Sequence, residues 1–195
     1  MQQPPISRRN AIAAIGAGAL AAPALAAPAT PSSDLAMLAD LDPIRTELVM
    51  NLVVTCTSPE RPGPAAASKD GTRDEIWPIV GGRFAGPRIR GAVIPGGGDF
   101  PVVRPDGVTI VDALYRLRTD DGVTIIIHNK GLAYPQGAGK WDRYRLVPEF
   151  TAPFGRYDWL NRSIFLCTLN DVPTPLRLAR GPNENDRLLQ VHRLL

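Results

Sequence analysis

The sequence predicts an all-β fold in which short antiparallel strands close into a barrel or pack as two sheets. Three observations carry that expectation. The chain of 195 residues holds 18 glycines and 20 prolines, a density of breakers that a helical bundle tolerates poorly and many tight turns require. From residue 47 onward, apolar stretches are bounded by Gly, Pro, Asp and Asn clusters, as strands are. The connections between those stretches are short enough for antiparallel neighbours. Hydrophobic residues make up 44% and charged residues 21%, which excludes wholesale disorder. The length leaves room for one domain, or for a domain with a tail.

The first 26 residues read as an address. Ser7-Arg8-Arg9-Asn10 precedes a small-residue apolar run at 11–22, and Ala24-Leu25-Ala26 offers a cleavage site, the order of a secretory signal peptide. Export to the periplasm or the exterior is expected, by the Tat or the Sec route, with the twin arginine favouring Tat. The apolar run is shorter than the roughly 20 residues a bilayer span needs, so no stable membrane insertion is expected after cleavage. The formal net charge of +3 comes from 22 basic and 19 acidic residues. Arg8 and Arg9 leave with the signal, and the nearly neutral remainder argues against nucleic acid as a partner.

Residues 27–46 are expected to form a flexible leader and a short helix. Leu35, Leu38, Leu41 and Ile44 recur at three-residue spacing within 34–48, Ser32 or Ser33 can cap, and Pro43 interrupts. Such a helix either closes one end of the core or acts as a lid. Residues 47–195 make up the β domain. Its first strand is 47–56, and a polar loop follows at 58–71. Shorter strands are expected at 76–80 and 89–94, longer ones at 108–118, 123–130, 141–150, 156–169 and 187–195. Thr119-Asp120-Asp121-Gly122 is a hairpin turn joining 108–118 to 123–130, and 131–139 is a glycine-rich loop. Along 108–118 one face carries Thr109, Val111, Ala113, Tyr115 and Leu117. Along 156–169, read as one strand, Tyr157, Trp159, Asn161, Ser163, Phe165 and Cys167 share a face whose mixture of rings and polar groups suits a cavity lining.

Residues 81–107 carry the most specific pattern. Gly81-Gly82-Arg83-Phe84-Ala85-Gly86-Pro87 leads to Pro95-Gly96-Gly97-Gly98-Asp99-Phe100 and then to Arg104-Pro105-Asp106-Gly107. Asp121-Gly122 through Asn129-Lys130-Gly131 follows, and later Tyr157-Asp158-Trp159-Leu160-Asn161-Arg162. These five segments, in order over residues 48–195, resemble the domain of unknown function 3237 family, also called the UPF0311 proteins. The resemblance implies a single lipocalin-like antiparallel β-barrel and no established reaction. The family often has Glu where this chain has Ala85 and Arg where it has Leu114, so a ligand contact made by either would be missing here.

The glycines at 96–98 do not form a phosphate loop, because Asp99 follows where a Lys and a hydroxyl residue opening a helix are needed. They let the chain turn tightly and set the Asp99 carboxylate at the barrel mouth, as a general base, a ligand anchor or a cap for backbone N–H groups. Asp99, Tyr115 and Arg83 are the candidate catalytic residues: a proton carrier, a hydroxyl donor and a cation for an anionic group. Asn129, Tyr157, Trp159 and Asn161 are the candidate substrate contacts, two amides to orient a carbonyl and two rings to stack on. All seven are expected to converge on one cavity at one end of the barrel. His128 points outward if its neighbour Asn129 points inward. Cys56 and Cys167 fit either one disulfide or two unpaired thiols. Two cysteines and two histidines fall short of a metal or cluster site, and no Gly-x-Ser-x-Gly elbow is present. No cofactor is expected and the partner is a small molecule. Two functions fit: a cofactor-free isomerase, lyase or cyclase acting on an aromatic or carbonyl-bearing compound, or a non-catalytic periplasmic barrel that binds a hydrophobic small molecule.

Overall fold

A computed structural model describes residues 43–62, 70–140 and 142–195. The signal segment, the leader and most of the expected helix lie outside the described residues. The strands are β1 (Thr46–Thr57), β2 (Arg73–Asp74), β3 (Trp77–Ala85), β4 (Arg90–Asp99), β5 (Val102–Val103), β6 (Thr109–Thr119), β7 (Thr124–Tyr134), β8 (Arg143–Thr151), β9 (Phe165–Asn170) and β10 (Glu184–Leu194). Thr46, Glu47 and Leu48, at the tail of the helical pattern, therefore belong to β1, where they pair with Leu194, Arg193 and His192.

The eight long strands run in the spatial order β6-β4-β3-β1-β10-β9-β8-β7, and pairing of β6 with β7 closes the ring. All pairings are antiparallel. Closure leaves none of the eight with an unpaired edge. The two-residue strands β2 and β5 pair with each other, and β5 adds to the start of β6 beyond the end of β4.

Period-two alternation sorts the side chains. On β6 Val111, Ala113, Tyr115, Leu117 and Thr119 are buried, while the intervening Leu114, Arg116 and Arg118 are exposed. On β7 Ile125, Ile127, Asn129 and Ala133 are buried. Leu117, Ile125 and Ile127 are fully enclosed, and each such side chain contributes about 1.5–3 kcal/mol of burial. The β6–β7 hairpin turns where expected: the Gly122 N–H donates to Thr119 O at 2.9 Å, and Gly122 supplies the positive φ of 87° that the turn demands.

Two irregularities decide which residues face inward. Between β3 and its neighbours the register slips by one residue near Val80: Thr55 pairs with Gly81 but Cys56 with Ile79. A one-residue slip exchanges the two faces of a strand. Ile79 and Phe84 are both buried as a result, and Arg83 is exposed. On β4 the break between Ile94 and Gly97 inserts two extra residues, since Ile94 pairs with Arg116 and Gly97 with Tyr115. Two residues restore the alternation, so Asp99 keeps the inward phase of Val93. Gly97 permits this crowding: its φ is 99° and a Cβ there would lie 2.5 Å from Leu114 O.

Residues 156–169 are not one strand. They begin with a 3-10 turn, Asp158–Arg162, and only Phe165–Asn170 is extended. The Asn161 side chain enforces the turn by bridging both backbone groups of Ala152, accepting its N–H at 2.8 Å and donating to its carbonyl at 2.9 Å. Alternation at 157, 159 and 161 is therefore a coincidence of spacing, because residues two apart do not share a face of such a turn. Between β9 and β10, residues 171–183 cross the outside of the barrel. They are pinned by Asp186, which accepts from Thr55 Oγ1 at 2.6 Å and from the Leu178 and Ala179 N–H groups.

Candidate functional site

A cavity of about 440 Å³ opens at the end of the barrel where β4 finishes and β6 begins. Its volume lies within the range of small-molecule sites, roughly 300–1,000 Å³. Val54, Ile79, Val111, Leu146, Leu169 and Leu189 make an apolar lining. Polar groups stand on several sides of it, among them Arg73, Asp142 and Tyr144, and two opposite walls are described in turn.

On the first wall Asp99, Ala113 and Asn129 stand side by side in register across β4, β6 and β7, with Tyr115 two residues farther along β6. All four line the cavity. Asp99 Oδ1 accepts the Asp112 backbone N–H at 3.1 Å, and Asp99 makes no salt bridge among the described residues. Burial pushes its pKa from 3.8 to about 6. The Asp112 N–H opposes that rise, the Asp112 charge adds to it, and Arg187 pulls it back down. Tyr115 is 3% exposed, and burial drives its phenol well above the ordinary value. Its hydroxyl has no hydrogen-bond partner among the described residues, and neither has Oδ1 of Asn129, a residue 1% exposed. Asn129 Nδ2 contacts Cys167 Sγ at 3.8 Å. A buried polar atom left without a partner costs about 1–3 kcal/mol. Both residues line the same cavity.

On the second wall stands Arg187 of β10, paired with Val54 and sharing its inward face with Leu189 and Val191. Counted round the ring, β10 lies four strands from β6 in either direction, which places Arg187 across the cavity from Tyr115. The guanidinium sits 5.3 Å from the Trp77 ring centroid, and Nη1 donates to Asp186 O at 3.1 Å. Trp77 Nε1 donates to Glu75 Oε2 at 3.1 Å, and Arg61 pairs with Glu75 Oε1 at 3.0 Å. Sequence reasoning missed Arg187 and Trp77. The signal was present in the alternation of Arg187, Leu189 and Val191, an arginine on a face otherwise apolar.

The remaining candidates lie elsewhere, so the expected convergence of seven side chains holds for three. Arg83 is turned outward by the slip in β3 and donates to Leu176 O at 3.4 Å. Tyr157 is buried at the far end of the barrel, where its hydroxyl donates to Asp121 Oδ1 at 2.8 Å beside the β6–β7 turn. Trp159 packs on the core there, with the Arg88 guanidinium 4.5 Å from its ring centroid. Asn161 holds Ala152. His128 faces out, as expected of the neighbour of an inward Asn129, and pairs with Asp112. Cys56 and Cys167 are both free thiols, and burial pushes each up to about 12. Among the described residues no group of three or more His, Cys, Asp or Glu is placed to hold a metal ion.

The barrel is similar to several solved structures. A β-barrel-like protein from Acinetobacter baumannii superposes with a TM-score of 0.66 at 23% identity, covering 79% of this chain and 98% of that one. A protein of unknown function from Clostridium acetobutylicum gives 0.65 at 28% identity, covering 79% and 99%. A protein described as an enzyme from Penicillium herquei gives 0.54 at 21% identity, covering 77% and 96%. In sequence, a UPF0311 protein of Clostridium acetobutylicum is 32% identical over 52% of this chain and 72% of its own length. A UPF0311 protein of Rhodopseudomonas palustris strain TIE-1 is 30% identical over 47% and 67%. Residues 44–172 match the model of the family described as protein of unknown function (DUF3237), and the chain belongs to that family.

Proposed function

We propose that the cavity catalyses a proton transfer on a carbonyl-bearing small molecule without a cofactor, as an isomerase, lyase or cyclase does. One observation carries this reading: a buried carboxyl with a pKa near 6 shares a wall with a phenol and an amide oxygen that have no partner among the described residues. Asp99 is then the base. A carboxylate that titrates near 6 is ionised at neutral pH and holds a proton more strongly than an ordinary aspartate. It takes the proton from carbon adjacent to the carbonyl, and the electron pair moves onto the carbonyl oxygen. Tyr115 donates its O–H to that oxygen as negative charge develops. Asn129 Oδ1 accepts a hydroxyl or N–H of the substrate and fixes its orientation. Asp99 returns the proton to a different atom, which completes an isomerisation or ring closure.

Deuterium exchange of the α-hydrogens of 2-tetralone in D2O, followed by proton NMR, tests the reading. The wild type should accelerate exchange, with a rate that rises with pH through about 6, and Asp99→Asn should abolish the acceleration. Equal rates for wild type and Asp99→Asn end the reading. A second function has one observation in its favour. The Asp112 N–H already holds Asp99 Oδ1, and a carboxyl used only to shape the chain would suit a barrel that binds a hydrophobic molecule unchanged.

We place either activity outside the cytoplasm. The support is the Ser7-Arg8-Arg9-Asn10 segment, the apolar run after it and Ala24-Leu25-Ala26. Cleavage after Ala26 is the outcome to look for, and N-terminal sequencing of exported protein that starts far from Ala27 contradicts it.

A further inference from the structure

We propose that Asp112 and His128, on the outer wall of the barrel, are positioning residues for Asp99 on the inner wall. The Asp112 backbone holds the Asp99 carboxylate, and the charge of the Asp112–His128 pair tunes its basicity from outside the cavity. The proposal deepens the proton-transfer reading and takes from it only that Asp99 is the base.

Two adjacent strands make the contact by presenting opposite faces at one level. Asp99 ends β4 pointing inward, opposite Ala113 of β6. The alternation that buries Val111 and Ala113 turns Asp112, between them, outward. Its backbone still addresses β4 with both polar groups. The N–H donates to Asp99 Oδ1 at 3.1 Å, and the carbonyl accepts the Phe100 N–H at 2.9 Å. One residue thus grips two successive residues at the end of β4 and fixes the direction of the carboxylate. The Asp112 carboxylate, half-exposed on the outside, meets Nε2 of His128 on β7. Only the backbone of Asp112 separates the two carboxyl groups.

A like charge that near disfavours ionisation of Asp99. Burial raises the Asp99 pKa most, the Asp112 N–H lowers it, and the Asp112 charge raises it again, ahead of the opposing field of Arg187. Other charges surround the pair. Lys130 stands directly opposite Asp112 on β7, and Glu149 of β8 stands opposite His128. Arg116, farther along β6, is turned to Pro95 O. Inside the barrel, Arg73, Glu75, Asp142 and Arg187 carry charge around the cavity, while burial keeps Cys56, Tyr115 and Tyr144 neutral. Among these groups His128 is the one that meets the Asp112 carboxylate and also gains or loses a proton under mild conditions. An imidazolium there offsets the Asp112 charge, and a neutral ring leaves it in force.

The test reads the Asp99 titration midpoint by carboxyl carbon NMR on the full chain labelled at aspartate, with Asp99→Asn identifying the resonance. Asp112→Asn keeps the backbone and removes the charge, so the midpoint should fall by roughly half a pH unit. Asp112→Glu should restore most of that loss. His128→Gln keeps a donor for Asp112 but cannot become a cation, so the midpoint should rise. The opposite signs are decisive, because mere loosening of the wall would expose Asp99 and lower its midpoint in every variant. The pH of half-maximal 2-tetralone exchange should move with the midpoint in each protein. An unchanged midpoint in Asp112→Asn overturns the inference, as does a fall in both Asp112→Asn and His128→Gln. Should Asp112→Asn fail to fold, the rise in His128→Gln decides alone. Midpoints that shift as expected, beside exchange that never depended on Asp99, end the catalytic reading and leave the coupling standing. Exchange that requires Asp99 but keeps one pH profile in every outer-wall variant does the reverse.

Discussion

Replacing Asp99 with Asn should make the protein more stable at neutral pH, and the size of the gain follows from the site. The folded carboxyl titrates near 6 rather than at 3.8, chiefly because it is buried. At 1.36 kcal/mol per pH unit, that rise corresponds to about 3 kcal/mol. The sign follows from proton linkage. The folded state holds the Asp99 proton more tightly than the unfolded chain does. The contribution to stability is therefore complete below pH 3.8 and is lost as pH rises through about 6. Above pH 6 the wild type carries the full cost of a buried charge. Asparagine keeps an oxygen to accept the Asp112 N–H and removes that charge. The variant should gain up to about 3 kcal/mol at pH 7.5, or roughly 6–12 °C in melting temperature for a domain of this size, and little at pH 4. Melting curves by circular dichroism, for both proteins at both pH values, measure the difference. An Asp99→Asn protein that melts below the wild type at pH 7.5 refutes the reasoning. So does a difference that is the same at both pH values, because either result makes the carboxylate a structural cap rather than a buried base.

Three more outcomes can be checked with standard assays. Tyr115→Phe removes a buried hydroxyl that has no partner among the described residues, so it should leave stability unchanged or raise it by about 1 kcal/mol while slowing any proton transfer about a hundredfold; urea unfolding and the tetralone exchange rate report the two effects. Asp186→Ala should cost roughly 3–5 kcal/mol, because it strands Thr55 Oγ1 and two backbone N–H groups. Burial works against the Asp186 carboxylate, but those bonds hold its pKa below the ordinary value, so the stability it confers is present above about pH 4 and lost as pH falls, visible as acid unfolding that weakens in the variant. Cys56 and Cys167 should not react with Ellman's reagent at pH 8 in the native protein and should both react in denaturant, since burial holds them as neutral thiols; rapid native labelling of either would show that the barrel opens.

Much of the fold was legible in the sequence because its determinants are local. The Asp121-Gly122 turn and the alternation from Thr109 to Leu117 specify one hairpin with one inward face, and Tyr115 and Asn129 follow directly. Asp99 was legible as well, although for a different reason than corner geometry. It belongs to β4 itself, and its inward phase survives because two residues, not one, are looped out ahead of it.

The rest depended on contacts between residues far apart in the chain. Nothing in Gly81-Gly82-Arg83 says that β3 slips by one residue against β1, and that slip alone moves Arg83 to the outer wall. Residues 156–162 show the period of a strand, but the Asn161 amide captures the Ala152 backbone and bends them into a turn at the end of the barrel away from the cavity. Arg187 enters the cavity because β10 pairs with β1 in a register set by ring closure, which opposes it to Val54 rather than to Thr55. Local pattern thus determined most of the strands, one hairpin and the inward side chains of the Asp99 wall. Which strands lie opposite one another, and which arginine lines the cavity, are properties of the closed ring. They follow from register, and a single residue of slip reverses them.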